Sequence, residues 1–253
     1  MLRLLVALPV ICTVVSPTQA AETSFLNILG FNKSGSHFAF EEYGISDGIG
    51  TPYVSIYAIN VDTDEWIKGS PLSIKIGEDD GEPPKVDDYN ELERRWLKQV
   101  RAEARASAQS FLGKLGDLNY GTVRVSNEPW EMSANAKIVR FTPVDLIPGD
   151  GKALKLSLQE AAFPAEEEAC FGFRDKMYGF RLTLEDETTG TVTVLNDDKR
   201  VPKSRACPRN YRIEKVVTNE GNKGQRSLAV IIRYSTIGFE GDDGRLLAVT
   251  TRF

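Results

Sequence analysis

Hydrophobic and polar positions alternate in the first third of the chain. In GFNKSGSHFAFEEYG (residues 30–44), Phe38 and Phe40 alternate with His37 and Ala39, at the period of two that is typical of a half-buried strand. The turn at residues 32–35 ends on a glycine, which supplies the positive φ that such turns need. A second alternation, YVSIYAIN (53–60), is followed by the acidic turn 62–65. Residues 21–76 are therefore predicted to form a β-meander.

The period changes to that of a helix after an acidic, proline-rich connector at residues 77–88. Apolar residues recur every three or four positions from about 89 to 115, with Asp87 or Asp88 as the predicted cap and Gly116 as the end, so the helical segment is 89–116. The apolar stripe is Leu92, Trp96, Val100, Ala104, Ala108, Phe111 and Leu115; the opposite face carries Arg94, Arg95, Lys98, Arg101 and Arg105. A basic groove for an acidic ligand is one interpretation of that face, and a solvated face is the favoured one.

Everything after the helix has the pattern of strands. Residues 179–195 alternate around a Thr-Thr-Gly turn, which predicts a hairpin, and LAVIIRY (228–234) predicts a central strand covered on both faces, with residues 246–249 paired near it. The predicted fold class is α+β and predominantly antiparallel β, with meander sheets and one long amphipathic helix packed on a sheet. Region 117–253 is expected to form one domain together with 21–76. The roughly 40-residue repeat of a propeller is absent from the sequence.

The first 20 residues have the layout of a secretory signal peptide. Arg3 precedes an uncharged apolar run at residues 4–15, and small residues precede a predicted cut between Ala20 and Ala21. The run is too short to span a bilayer, which takes roughly 20 residues. Cleavage would leave 30 Lys and Arg against 36 Asp and Glu, a net charge of −6, and two cysteines. We predict a periplasmic or secreted protein with no transmembrane segment after cleavage.

Composition excludes several classes of function. A mildly acidic chain without a basic tail does not favour nucleic acid. The single histidine, His37, is predicted to be an ordinary surface residue, so neither a zinc site nor a Ser-His-acid triad is expected. No metal and no cofactor is predicted. Carboxylate chemistry needs no histidine and stays open, although adjacent acids such as Glu41 and Glu42 point to opposite faces of a strand and do not form a catalytic pair.

A set of motifs spread over the mature chain resembles those of one bacterial family. The motifs are FAFEEYG (38–44), CFGF (170–173), the strand at 179–184, VPKSRACP (201–208), Tyr211 and GFEG (238–241). They resemble the family of predicted secreted proteins called domain of unknown function 2259. The resemblance implies export and a single family unit. It implies no activity, ligand or catalytic residue.

Two sites follow from these patterns. The predicted function is that of an exported cell-envelope protein that binds an envelope protein or a small ligand without catalysis, and the alternative is a carboxylate-dependent hydrolase acting on envelope carbohydrate. The candidate binding surface is Glu41, Glu42, Tyr43 and Asp47, where a strand opens into a wide loop, and an ordinary solvated loop is the competing interpretation. Cys170 and Cys207 are predicted to form a disulfide, because two thiols in an oxidising compartment tend to pair.

Overall fold

The structure is a computed structural model that describes residues 22–46, 50–76, 85, 88–131, 135–143, 153–221, 225–238 and 241–253. The predicted signal peptide, Asp47 and most of the connector 77–88 lie outside the described residues. The strands are β1 Phe25–Phe31, β2 His37–Ile45, β3 Pro52–Asn60, β4 Glu65–Trp66, β5 Leu72–Lys75, β6 Thr122–Ser126, β7 Ile138–Phe141, β8 Leu154–Pro164, β9 Lys176–Asp186, β10 Thr191–Asp197, β11 Asn210–Glu220, β12 Arg226–Ile237 and β13 Asp242–Arg252. The helices are α1 Tyr89–Leu112, α2 Glu167–Cys170 and a 3₁₀ turn, Lys203–Arg205.

The strands form three antiparallel sheets. The N-terminal sheet has the order β1-β2-β3, and both β4 and β5 pair with the far side of β3. The central sheet has the order β13-β12-β11-β6, and the outer sheet has the order β10-β9-β8-β7. The predicted meander, the 179–195 hairpin and the pairing of residues 246–249 beside the central strand are all confirmed. The predicted fold class is confirmed as well.

Three apolar clusters stack these elements into four layers. Helix α1 packs on one face of the N-terminal sheet through Val100, Ala104 and Phe111. The other face of that sheet, with Phe38 and Phe40, packs on the central sheet. The opposite face of the central sheet packs on the outer sheet. The N-terminal meander and the C-terminal strands therefore share a buried core.

Strand β12 lies at the centre of this stack. Its residues alternate between the two faces: Ala229 and Ile231 face the N-terminal sheet, and Val230 and Ile232 face the outer sheet. All four are fully buried, as predicted for a continuous apolar run. Strand β2 was predicted to be half-buried, and this prediction is wrong. Its second face, with Ala39 at its centre, lies under α1, where a small residue lets the helix approach closely.

Helix α1 begins and ends through different contacts. The side chain of Asp88 accepts hydrogen bonds from the backbone N–H groups of Asn90 and Glu91, which confirms one of the two predicted caps. The helix ends at Leu112, where the N–H of Gly113 still donates to Gln109 O, and Gly116 lies in the following turn with φ 78°. The predicted end was therefore three residues too late.

The basic face of α1 is not uniformly solvated, which corrects the favoured interpretation. Arg101 and Arg105 both contact Glu41 of β2. Arg101 Nε donates to Glu41 Oε1 at 2.7 Å, and Arg105 Nη2 donates to Glu41 Oε2 at 2.5 Å. The side chain of Glu41 has no exposed surface. Burial opposes its charge, but the hydrogen bonds from both arginines lower its pKa. Arg101 also stacks on Tyr43 at 3.6 Å, so three charges fix the helix to the sheet.

The first described residues join the last strand. Thr23 forms a parallel bridge with Gly244 of β13, and the N–H of Ser24 donates to Gly244 O at 3.1 Å. The guanidinium of Arg233, itself paired with the buried Glu214, donates to Ser24 O at 2.8 Å. Glu22 and Ser24 are consequently buried at the edge of the central sheet, and Thr23 between them is exposed.

The predicted disulfide is confirmed. Cys170 and Cys207 are bonded, with their Cα atoms 5.0 Å apart, and both are fully buried in a small cluster with Met177 and Val201. The bond joins the end of α2 to the segment 201–208.

Replacing Glu41 with Gln should lower the free energy of unfolding by about 1–3 kcal/mol, because two partly exposed guanidinium groups lose their shared carboxylate. Urea denaturation at pH 7 measures the change. The folded pKa of Glu41 is lowered from 4.5, so its contribution is present above pH 4.5 and lost as pH falls through the folded pKa. The difference between wild type and E41Q should therefore shrink on acidification. E91Q, which removes only the exposed Glu91–Arg95 pair, is the matched control and should change stability by less than about 0.5 kcal/mol.

Replacing Cys170 and Cys207 together by Ser should lower the free energy of unfolding by about 3–4 kcal/mol, the chain-entropy value for a loop of this length. Denaturation of the oxidised wild type, the reduced wild type and the double variant measures it, and the last two should agree. Equal midpoints for all three proteins would contradict this prediction.

Candidate functional site

The four residues of the predicted binding surface do not lie together. Glu41 is covered by α1, and Tyr43 lies beneath Arg101 on the same side. Glu42 points to the opposite face, towards the central sheet, and is 3 % exposed. Asp47 lies outside the described residues. A partner could therefore not contact both carboxylates from one side, and the binding role of this surface stays a prediction.

The site of greatest chemical interest is a cleft where the edges of three sheets meet, which we call the edge cleft. Trp66 comes from β4 of the N-terminal sheet, Asn196 from β10 of the outer sheet and Ala248 from β13 of the central sheet. Tyr57 and Arg205 also line the cleft. Its volume of about 480 Å³ lies within the range of small-ligand sites.

The edge of β13 forms one wall, and other segments occupy three of its outward N–H groups. The N–H of Gly244 donates to Glu22 O at 2.7 Å, that of Leu246 donates to Glu42 Oε1 at 3.2 Å, and that of Thr250 donates to Asp64 Oδ1 at 2.7 Å. Gly244, Leu246 and Thr250 lie two and four positions apart along β13, and the register with β12 is unbroken, so every second residue of β13 has the same orientation. Since both backbone groups of a residue point to the same side in an antiparallel pair, the N–H and C=O of Ala248 also point out of the sheet. No described residue hydrogen-bonds to them, and Ala248 lines the edge cleft.

Glu42 is the innermost carboxyl near the cleft. Ser24 Oγ donates to its Oε1 at 2.7 Å and Tyr57 OH donates to its Oε2 at 3.1 Å. Burial raises the pKa of Glu42, while these hydrogen bonds and the charge of Arg245 act in the opposite direction. Glu42 also lines a second cavity of about 300 Å³, which shares Tyr57, Ser204 and Arg205 with the edge cleft.

The arginines at these cavities are paired with carboxylates of the protein itself. Arg205 NH1 donates to Asp198 Oδ2 at 2.5 Å, and Arg245 pairs with Glu22 and Asp243. Although burial opposes its charge, Tyr53, Glu22 and Glu42 raise the pKa of Arg245. The guanidinium groups of the cleft are thus compensated, which does not favour a highly anionic ligand.

The segment 201–208 forms the wall opposite the N-terminal sheet. Pro202, Ser204 and Arg205 line the cleft. Ser204 and Arg205 belong to the 3₁₀ turn, which Pro202 precedes and which Ala206 and Cys207 follow. The disulfide from Cys207 to Cys170 and the Arg205–Asp198 pair both fix the C-terminal half of this wall. The confirmed bridge is therefore a structural support of the cleft.

Asp64 closes the other end of the open stretch of β13. It lies in the turn before β4 with φ 55°, and its Oδ1 accepts from both the N–H and the Oγ1 of Thr250. Burial raises the pKa of Asp64 to about 6, against the opposing effect of the Thr250 hydrogen bonds. Asp64 thus has a raised pKa at the edge cleft, as Glu42 has at the adjoining cavity.

Two further properties bear on the chemistry. Among the described residues, no group of three or more His, Cys, Asp or Glu side chains is arranged to hold a metal ion. No helix in the described part of the chain is long and apolar enough to cross a membrane.

His37 was predicted to face water, but it is half-buried. Its Nδ1 forms a hydrogen bond with Ser36 Oγ at 2.9 Å. Burial lowers the pKa of His37.

The sequence indicated only part of this site. Glu42 was singled out, but Trp66, Asp64, Arg205 and Ala248 were not. The aromatic Trp66 directly after an acidic turn was the available signal. Which three strand edges meet depends on packing between residues up to about 180 positions apart, which no local pattern contains.

Comparison with known proteins identifies a family. A model of the family described as "Predicted secreted protein (DUF2259)" matches residues 39–252. No curated protein and no solved structure matches the chain. The resemblance drawn from the motifs is confirmed, and the family description includes secretion but no activity.

Replacing Asp64 with Asn should remove a titration near pH 6 from the carboxyl ¹³C NMR spectrum. Asn tolerates the left-handed backbone and keeps an oxygen that accepts from Thr250. The raised pKa means that the cost of ionising Asp64 in the folded state is absent below pH 3.8 and complete above about pH 6. The stability of D64N relative to wild type should therefore increase between pH 3.8 and 7.

Asp62 provides the matched control two residues away. Its hydrogen bond from Arg252 lowers its pKa, so the relative stability of D62N should change in the opposite direction as pH rises. If D64N keeps the carboxyl titration near pH 6, that titration belongs to another group and the prediction for Asp64 is wrong.

Proposed function

We propose that this chain, which belongs to the family of predicted secreted proteins called domain of unknown function 2259, is an exported cell-envelope protein that works by binding a partner or small ligand. The periplasm is the proposed compartment. The signal-peptide pattern of residues 1–20 in the sequence and the disulfide between Cys170 and Cys207, which needs an oxidising compartment to persist, support this location.

The edge cleft is the proposed binding site. The observation that carries the proposal is the backbone of Ala248, which has no hydrogen-bond partner among the described residues and lies on a sheet edge inside a cavity with aromatic walls. A pocket with an apolar lining and a few converging polar groups is the usual form of a ligand site. Walls fixed by a disulfide and by ion pairs keep such a site preorganised, which lowers the entropy lost on binding.

Carboxylate-dependent hydrolysis is the alternative that one observation favours. Glu42 and Asp64 come from separate segments, both have raised pKa values and both lie at adjoining cavities. Raised carboxyl pKa values are common in general acids. Each of these carboxyls, however, already accepts a backbone N–H of β13, and this arrangement supports a structural role for both.

The proposed function predicts that compounds bound by the purified mature protein occupy the edge cleft. The ¹⁵N-labelled protein is screened against a mixed library of short peptides, saccharides and fragments, and amide shifts should cluster on the residues that line the cleft. S204W, which fills the cleft from its wall, should abolish these shifts. S110W, on the exposed side of α1, is the matched control and should preserve them.

Hits that cluster elsewhere, or survive S204W, would show that the edge cleft is not the binding site. A separate activity assay tests the alternative. If wild type releases reducing sugar from envelope carbohydrate, and folded E42Q and D64N both lose this activity, the protein is a hydrolase and not a simple binding protein.

A further inference from the structure

We propose that the edge cleft binds a short, extended and uncharged peptide segment, which pairs with Ala248 as an added strand at the edge of the central sheet. This inference rests on the proposed function and specifies its ligand. The occupant is a segment of another envelope protein with one apolar or aromatic side chain at its centre.

The backbone of Ala248 determines the hydrogen bonding. Its N–H and C=O point away from β12 into the cleft, as the occupied groups of Leu246 and Thr250 on either side show. A residue placed directly opposite in an antiparallel pair exchanges two hydrogen bonds with such a residue. Peptides that add a strand to an exposed edge gain affinity from these main-chain bonds and specificity from the pockets beside them.

The two carboxylates limit the length of the added strand. Glu42 occupies the N–H of Leu246 and Asp64 occupies that of Thr250, and these positions are about 13 Å apart at the usual rise of a strand. Only about three residues of a partner can lie between them. The volume of about 480 Å³ accommodates a ligand of that size.

The side walls favour an apolar or aromatic central residue. Trp66 is 51 % exposed although its ring lies only 6.1 Å from that of Tyr57, which in turn stacks on Phe40 at 4.6 Å. A large exposed aromatic group supported by a buried stack is a typical anchor for a partner side chain. A charged ligand is disfavoured because Arg205 is already paired with Asp198 and Asp64 is held by Thr250.

The test uses defined peptides on the full mature protein. The probes are Ac-Thr-Val-Thr-NH₂ and Ac-Thr-Phe-Thr-NH₂, together with analogues that carry an N-methyl group on the central residue. The amide signal of Ala248 should shift on titration and gain protection from hydrogen exchange. N-methylation removes the donor of the pair and should weaken binding by about tenfold or more. Because this change is in the ligand, it leaves the fold of the protein untouched.

Protein variants give the complementary result. A248P removes the outward N–H at a position where it makes no bond to β12, as edge strands tolerate, and should abolish the response. A248S keeps the N–H and should preserve it. W66A should weaken the phenylalanine peptide more than the valine peptide.

The outcomes separate the inference from the proposed function. Cleft shifts with chitobiose or another neutral saccharide, without any response to the peptides, would overturn the peptide inference and leave binding at the cleft standing. Equal affinity for methylated and unmethylated peptides would also overturn it. No shift in the cleft with the peptides, the saccharide or the wider library would contradict both.

Discussion

The burial of both faces of the central sheet is the constraint on which the rest of the structure depends. Strand β12 has apolar side chains at successive positions, so each face needs its own cover. The N-terminal and outer sheets supply it. The N-terminal sheet then has a second apolar face, which α1 covers through small residues such as Ala104 and Ala108. Four layers follow from one continuous run of apolar residues.

Stacked open sheets leave strand edges, and this protein covers the edge of β13 in an unusual way. Natural proteins protect edges with charges, bulges or covering segments. Here the side chains of Glu42 and Asp64 act as substitutes for backbone acceptors, and the segment 22–24 extends the cover at one end. These contacts block pairing with another strand at Gly244, Leu246 and Thr250. Between Leu246 and Thr250, the outward backbone of Ala248 has no hydrogen-bond partner among the described residues, and Ala248 lines a cavity of which one wall is fixed by a disulfide.

Features with a local pattern could be predicted from the sequence, and features that join distant segments could not. The meander, the capping of α1 by Asp88 and the buried run of β12 each depend on neighbouring residues. The disulfide could be predicted because only two cysteines remained to pair. The role of Arg101 and Arg105 was missed because their partner, Glu41, lies some 60 residues away, and charged residues on a helix face ordinarily meet solvent. The same reason explains why the sequence did not indicate that Glu42 is buried against β13, where it accepts from the N–H of Leu246.

The pairing of residues 22–24 with β13 has a consequence for the order in which the fold can form. Ser24 accepts from a side chain 209 positions later in the sequence, so its contacts are among the most non-local in the chain. The entropy lost on closing so long a loop must be met before these contacts can form. Residues 22–24 therefore reach their native partners only after β12 and β13 have formed. Closure of the molecule at this edge is thus a late step of folding.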